Sequence, residues 1–206
     1  MFRKYCILLG IIMAIALLVI ASLYYPGGSQ ADPNSVGYDW SDNYISNLFG
    51  EKAVNGKDNS GRYWAVAGML FLSLSFALFF IEFSKKIPIS GAAKVIKYCG
   101  AGGMVFTFLI ATPLHDIMIT LSSTLFLLGM FYISVFVWKS KLLIFKILCV
   151  VCLLGFYFTL YIYGAGAYRA LLPMMQKVTF ALVIVLILGL EYFTGKQDFE
   201  HLKANK

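Results

Sequence analysis

Six runs of apolar residues, each near the length that crosses a bilayer as one helix, constrain this chain more than any motif in it. A hydrocarbon layer about 30 Å thick takes roughly 20 apolar residues in a helix, and inside it every backbone polar group must be satisfied without water. The runs fall at 5–25, 63–83, 95–113, 117–137, 142–163 and 171–193. Stretches such as TFALVIVLILGL show no alternation of period two, which disfavours a barrel. The composition agrees: 60% of residues are hydrophobic and only 13% charged, against roughly 25% in soluble domains. The expected fold class is an all-α membrane protein, a single six-transmembrane-helix bundle over 1–206, with an outer loop at 26–62 and a cytoplasmic tail at 194–206.

Basic residues predict the orientation, because Lys and Arg are retained on the cytoplasmic side of short loops. Twelve lie on one side: Arg3, Lys4, Lys85, Lys86, Lys94, Lys97, Lys139, Lys141, Lys146, Lys196, Lys203 and Lys206, against the acids Glu82, Glu191, Asp198 and Glu200. The other side carries Lys52, Lys57, Arg62 and Arg169 against Asp32, Asp39, Asp42, Glu51, Asp58 and Asp116. Both termini are therefore expected inside, in a multi-pass plasma (inner) membrane protein. The formal charge of +7 then reflects topology and anionic lipid rather than nucleic acid. The first run is too long for a signal-peptide core and is expected to stay as a span. Cys149-Val-Val-Cys152 sits in an apolar helix without a thiolate-stabilising charge, and reads as packing. No N-x-S/T sequon is present, which favours a bacterial membrane.

Polar residues inside or beside apolar spans mark candidate function. In the first outer loop, WSDNYISNLFG places Trp40, Tyr44, Ile45 and Leu48 on one helical face, with Ser41 or Asp42 as the cap. A short interfacial helix is expected there, turning Asn43, Ser46 and Asn47 toward water or the bundle. Thr112-Pro113-Leu114-His115-Asp116 joins spans three and four: the proline ends one helix and Asp116 can cap the next. His115 can donate, accept or shuttle a proton. Between spans five and six lies Gly164-Ala165-Gly166-Ala167-Tyr168-Arg169, followed by Gln176 and Lys177. Lys177 lies roughly 9 Å inside its helix. It must snorkel or find a partner, for which Asp116, Tyr161 and Tyr163 are the candidates. Gly100, Gly102 and Gly103 permit close helix approach.

These residues define two candidate sets. Asn43, Ser46, Asn47, Arg62, Arg169, Gln176 and Lys177 are candidate ligand contacts, since guanidinium and ammonium groups at a headgroup plane suit phosphate or carboxylate. His115 and Asp116 are a candidate general base and its orienter. Neither a P-loop, a G-x-S-x-G elbow nor a histidine metal motif is present, so no cofactor or metal is expected. The expected partners are membrane lipids and a small anionic or lipid ligand.

The order of features, with N-x-I-S-x-L at Asn43 to Leu48, a glycine-rich third span and P-x-H at Pro113 to His115, resembles a bacterial membrane-protein family of unknown function. That group is distantly similar to the DRAM-like and GPI-lipid-remodelling membrane proteins. The resemblance covers nearly the whole chain. It implies a six-helix bundle with a small outward-facing site built from the first loop and the start of the fourth helix, where His115 is the motif histidine. It carries no settled reaction. The residues themselves leave three activities as expectations: binding of a lipid headgroup or small anion, a lipid-modifying hydrolase or transferase using His115 and Asp116, and small-solute transport along a path lined by Lys177 and the serines of the fourth span, Ser122 and Ser123, which with Thr124 can also bond across helices.

Overall fold

The computed structural model describes residues 2–166 and 168–203, with side chains from residue 5 onward. Ala167, Lys206 and the side chains of Arg3 and Lys4, used above, lie outside that description. Among the described residues there are helices and no strands, only the isolated bridges Gly27 to Val36 and Lys52 to Asp58. The helices are α1 (Phe2–Leu23), α2 (Arg62–Ser84), α3 (Ser90–Val95), α4 (Ala101–Leu109), α5 (His115–Lys139), α6 (Leu143–Ala165) and α7 (Leu172–Phe193). Five of them, all but α3 and α4, are long and apolar enough to cross a membrane.

The third predicted run is the exception. It begins earlier, at Ser90, and reaches only Leu109, with a π-helical turn at Ile96–Gly100 between α3 and α4. The turn brings Gly100 against the ring of Phe80. A methyl group at Gly100 would lie 2.2 Å from Phe80 Cδ1, and one at Gly129 of α5 would lie 3.1 Å from Phe80 Cε1 and 3.2 Å from the Gly100 Cα. The extra residue of a π turn re-aims one helical face, here so that α2, the π turn and α5 meet where Phe80 packs against two glycines that lie against each other. Beyond Leu109 the helix stops because Thr112 Oγ1 donates to the Leu109 carbonyl and Pro113 follows.

α2, α4, α5, α6 and α7 form a ring in which neighbours pack in that order, and α1 lies outside it along α2. α6 leans more on α7 than on α5, and buries only Cys149, Cys152 and Ile162. The Cys149–Cys152 pair thus sits on the packed face of α6, in keeping with its expected packing role.

The two ends of the ring differ. At the end carrying the 24–61 segment, here called the loop end, the connection is folded. Asn59 Nδ2 donates to the Leu48 and Gly50 carbonyls, and Tyr25 Oη accepts from Val54 N–H at 3.0 Å. The expected interfacial α-helix is instead a 3-10 turn, Ile45–Phe49, entered from Tyr44. Asn47 Oδ1 accepts the Tyr44 N–H at 2.7 Å, so Asn47 and not Ser41 or Asp42 closes the turn. Upstream, Asp39 Oδ1 already accepts the N–H groups of Ser41 and Asp42. Such local bonds compete with helix. Leu48 and Phe49 are buried in protein rather than resting on headgroups.

At the other end, here called the tail end, Lys86 Nζ donates to the Leu190 and Glu191 carbonyls, supplying partners to the last turn of α7. The tail folds back beneath the ring. Phe199 is 0% exposed and its ring meets Phe83 at 5.6 Å, while His201 Nε2 approaches the Lys139 carbonyl. From the sequence, 194–206 is expected only as a cytoplasmic tail.

Candidate functional site

The ring of helices surrounds a cavity of about 740 Å³, in the size range of small-molecule sites. α2, α4, α5, α6 and α7 supply its walls, and Tyr44, Ile45, Ser46 and Phe49 of the folded loop roof it. Its lower walls are apolar, from Met69, Leu72, Phe76, Met104, Phe180 and Val183. Counting from His115 to Phe126 along α5, it is about 16 Å deep.

Phe126 and Phe156 close the floor as a stacked pair, centroids 5.3 Å apart. From Phe126 the ring contacts continue through Phe80, Phe79 and Phe83 to Phe199, each step between 5.5 and 5.8 Å. A column of aromatic rings therefore separates the cavity from the tail end. Hydroxyls within the walls are paired across helices. Thr107 and Ser122 lie 2.5 Å apart between α4 and α5, and Thr159 and Thr179 lie 2.9 Å apart between α6 and α7. Each pair satisfies polar groups that apolar surroundings would otherwise penalise.

Ionisable and aromatic polar groups gather at the loop-end rim. His115 Nδ1 is 3.0 Å from Asp116 Oδ1, and Tyr163 Oη of α6 donates to the same oxygen at 3.1 Å. Asp116 thus bridges α5 to α6. It does not cap α5 as expected: Leu114 stands at the cap and no side chain bonds there. His115 Nε2 is buried without a hydrogen-bond partner. Arg169 lines the cavity near Tyr44, whose pKa is raised by burial, with the Arg169 charge pulling the other way. Among the described residues the ion pairs are Lys52–Asp58, Arg62–Glu51, Lys85–Glu82, Lys86–Glu191 and His115–Asp116, none of which engages Arg169. No cluster of three or more His, Cys, Asp or Glu side chains suited to a metal is found among them.

Of the candidate contacts, Ser46, His115, Asp116, Arg169 and Gln176 line this one cavity. The other four are placed elsewhere, doing structural work. Asn43 is 0% exposed, its Nδ2 donating to the Gly28 carbonyl at 2.8 Å and its Oδ1 accepting from Asp39 N–H at 2.8 Å. Asn47 closes the 3-10 turn. Arg62 Nη1 pairs with Glu51 at 2.7 Å. Lys177 neither pairs with Asp116 nor snorkels into water: its Nζ donates to the Asn43 carbonyl at 2.5 Å and to the Pro173 carbonyl at 3.0 Å, 5.9 Å from the Tyr38 ring. Beside it, Gln176 Oε1 accepts the Ile45 N–H at 2.8 Å. These two residues of α7 tie the roof to the bundle. The reason depth misled is that the loop folds down to meet Lys177, so a backbone carbonyl becomes nearer than any carboxylate.

Of these groups the sequence marks only Ser122, which bonds across helices as expected; Tyr44, Tyr163, Thr107, Thr159 and Thr179 are not among the expected site residues. Tyr163 entered only as a possible partner of Lys177, and one helix cannot reveal which neighbour its tyrosine faces.

Fold and cavity together define a helical membrane protein with an amphipathic pocket at one end. Compared with known proteins, the chain matches no family model, no curated sequence and no solved structure.

Proposed function

We propose that this chain is a six-span plasma-membrane protein, both termini cytoplasmic, that holds an amphiphile with an anionic headgroup in an outward-facing cavity. The loop end is then the outer end, the orientation that the distribution of Lys and Arg favours. Ser90–Leu109, with its π turn, serves as the sixth span; as continuous helix it covers about 30 Å. One observation carries the binding reading. The cavity is lined mainly by apolar side chains down to the Phe126–Phe156 floor, with the Thr107–Ser122 and Thr159–Thr179 hydroxyls paired to each other, and its cation, Arg169, stands at the rim without an ion-pair partner among the described residues. Hydrocarbon suits the walls, and a guanidinium suits phosphate oxygens.

Binding is testable on delipidated protein by native mass spectrometry with phosphatidylglycerol. Arg169→Gln is expected to weaken the complex about tenfold, and Arg62→Gln, whose parent is paired with Glu51, to leave it unchanged. The opposite ranking would move the site to the loop surface and sink the reading. Topology has its own check: in a chain with its four cysteines replaced, Lys57→Cys on intact cells is expected to react with an impermeant maleimide and Lys94→Cys to stay unlabelled. Both positions are exposed, so the reverse pattern would invert the orientation.

A second reading, lipid hydrolysis or transfer, draws on the unpartnered Nε2 of His115 with Asp116 behind Nδ1, the arrangement of a general base and its orienter. Turnover of lipid by purified protein, lost in His115→Ala, is the result that would favour it. Transport past Lys177 has less support, since that amine is engaged with the roof and the aromatic column blocks the path to the tail end.

A further inference from the structure

Two opposite charges line one cavity without meeting. Among the described residues that line it, the charged side chains are Asp116 and Arg169, and no ion pair joins them. The Asp116 carboxylate is accessible: its side chain is 83% exposed, and the contacts with His115 Nδ1 and Tyr163 Oη both fall on Oδ1. An ionised carboxylate only accepts, so Oδ2 keeps its acceptor sites. With the imidazole neutral, neither partner cancels the carboxylate charge.

The end of α6 sets where these charges stand. Tyr163, in its last turn, holds the Asp116 carboxylate. Three residues on, Gly166 caps the same helix with φ at 67°, and the Arg169 side chain folds back over it: a Cβ at Gly166 would lie 3.1 Å from Arg169 Nη2. The two points of attachment are about 4.5 Å apart along the helix axis. The Arg169 charge also acts on Tyr44 in the roof, opposing the rise in pKa that burial causes there. Carboxylate and guanidinium are therefore neighbouring stations at the rim. A headgroup with an anion alone meets Arg169 while Asp116 opposes it, whereas one that carries both signs answers both.

We infer that the ligand is a zwitterionic phospholipid, with its phosphate on Arg169 and its headgroup ammonium on Asp116. The inference rests on the amphiphile reading above, whose anion becomes the phosphate, and adds a cation to the headgroup. Because Asp116 is largely exposed, the ammonium contact is modest, like that of a surface ion pair. It sets the preference among phospholipids rather than whether they bind. The mainly apolar walls below the rim take the acyl chains, so a chainless headgroup lacks most of the contact.

Three probes test this on delipidated, full-length protein in maltoside micelles: dioleoylphosphatidylethanolamine, dioleoylphosphatidylglycerol and chainless glycerophosphoethanolamine. The two lipids share the phosphate and the chains and differ in the headgroup cation. The ethanolamine lipid is expected to bind about fivefold tighter than the glycerol lipid, and the chainless diester not measurably. Asp116→Asn keeps an acceptor for Tyr163 and removes the charge, so the preference between the two lipids is expected to fall to near equality. Equal binding of both lipids to the unaltered protein, or a preference for the glycerol lipid, would overturn this inference while leaving the amphiphile reading intact. The same holds if Asp116→Asn keeps the full preference. Failure of both lipids to bind, or binding of the chainless diester as tightly as the lipid, would remove the amphiphile reading itself. Because the lipid comparison is made on the unaltered protein, it stands whether or not the variant folds.

Discussion

Gly100→Ala is expected to cost about 3 kcal/mol of stability, and Gly100→Val to leave no monodisperse protein after extraction. The added Cβ would sit 2.2 Å from Cδ1 and 2.3 Å from Cγ of Phe80. Those atoms lie near the root of the ring, not at a flexible tip. Phe80 cannot retreat, being 0% exposed and edge-on to Phe79 and Phe126. Between membrane helices close packing supplies much of the association energy, because lipid is as apolar as the side chains it replaces. A wedge at the α2, α4 and α5 junction therefore acts on three helices at once. Gly102→Ala is the control, since nothing lies within 4 Å of its Cβ position. Thermal unfolding followed by size-exclusion chromatography is the measurement, and Phe80→Leu combined with Gly100→Ala is expected to recover part of the loss. Equal unfolding temperatures for Gly100→Ala and Gly102→Ala would show that the ring is not wedged where the structure has it.

Lys177→Met is expected to release the roof of the cavity while sparing the helices. The ammonium bonds the Asn43 carbonyl, which also accepts from Tyr38 Oη at 3.3 Å, so one substitution loosens a node of the loop. Hydrogen bonds from charged donors contribute about 1.5–3 kcal/mol, and protection of amides 43–50 against hydrogen exchange should fall by about the corresponding ten- to hundredfold. Gln176→Leu removes the partner of the Ile45 N–H and is expected to act on the same amides, less than additively with Lys177→Met. Asp116→Asn distinguishes this clamp from a buried ion pair. If Lys177 were held by Asp116, its loss would loosen the roof equally; the geometry calls for roof protection unchanged.

Much of this architecture is readable from one dimension because lipid imposes a one-dimensional rule. Five of the six apolar runs match observed helices to within a few residues at each end. The run around Gly100 was harder to bound, since a π turn depends on what the helix packs against and leaves no periodic mark. In the loop, Asn43 and Asn47 looked like ligand contacts because polar residues near a membrane usually are. Their bonds are local, and they fold the roof instead. His115, Asp116 and Arg169 could be singled out from rarity alone, each being one of very few ionisable groups beside an apolar span.

Hydropathy and the spacing of apolar residues were enough for helical class, the number of apolar segments and the set of unusual polar groups, since a group's transfer from water to hydrocarbon depends on its own chemistry. Which of those groups share a cavity was decided by tertiary structure. Lys177 met a carbonyl, Arg62 met Glu51, and Tyr163 reached Asp116 across two helices. A hydrogen bond operates over about 3 Å, a scale at which helix rotation, a π turn and a folded loop choose the partner, and none of these is set by the residue's own place along the chain.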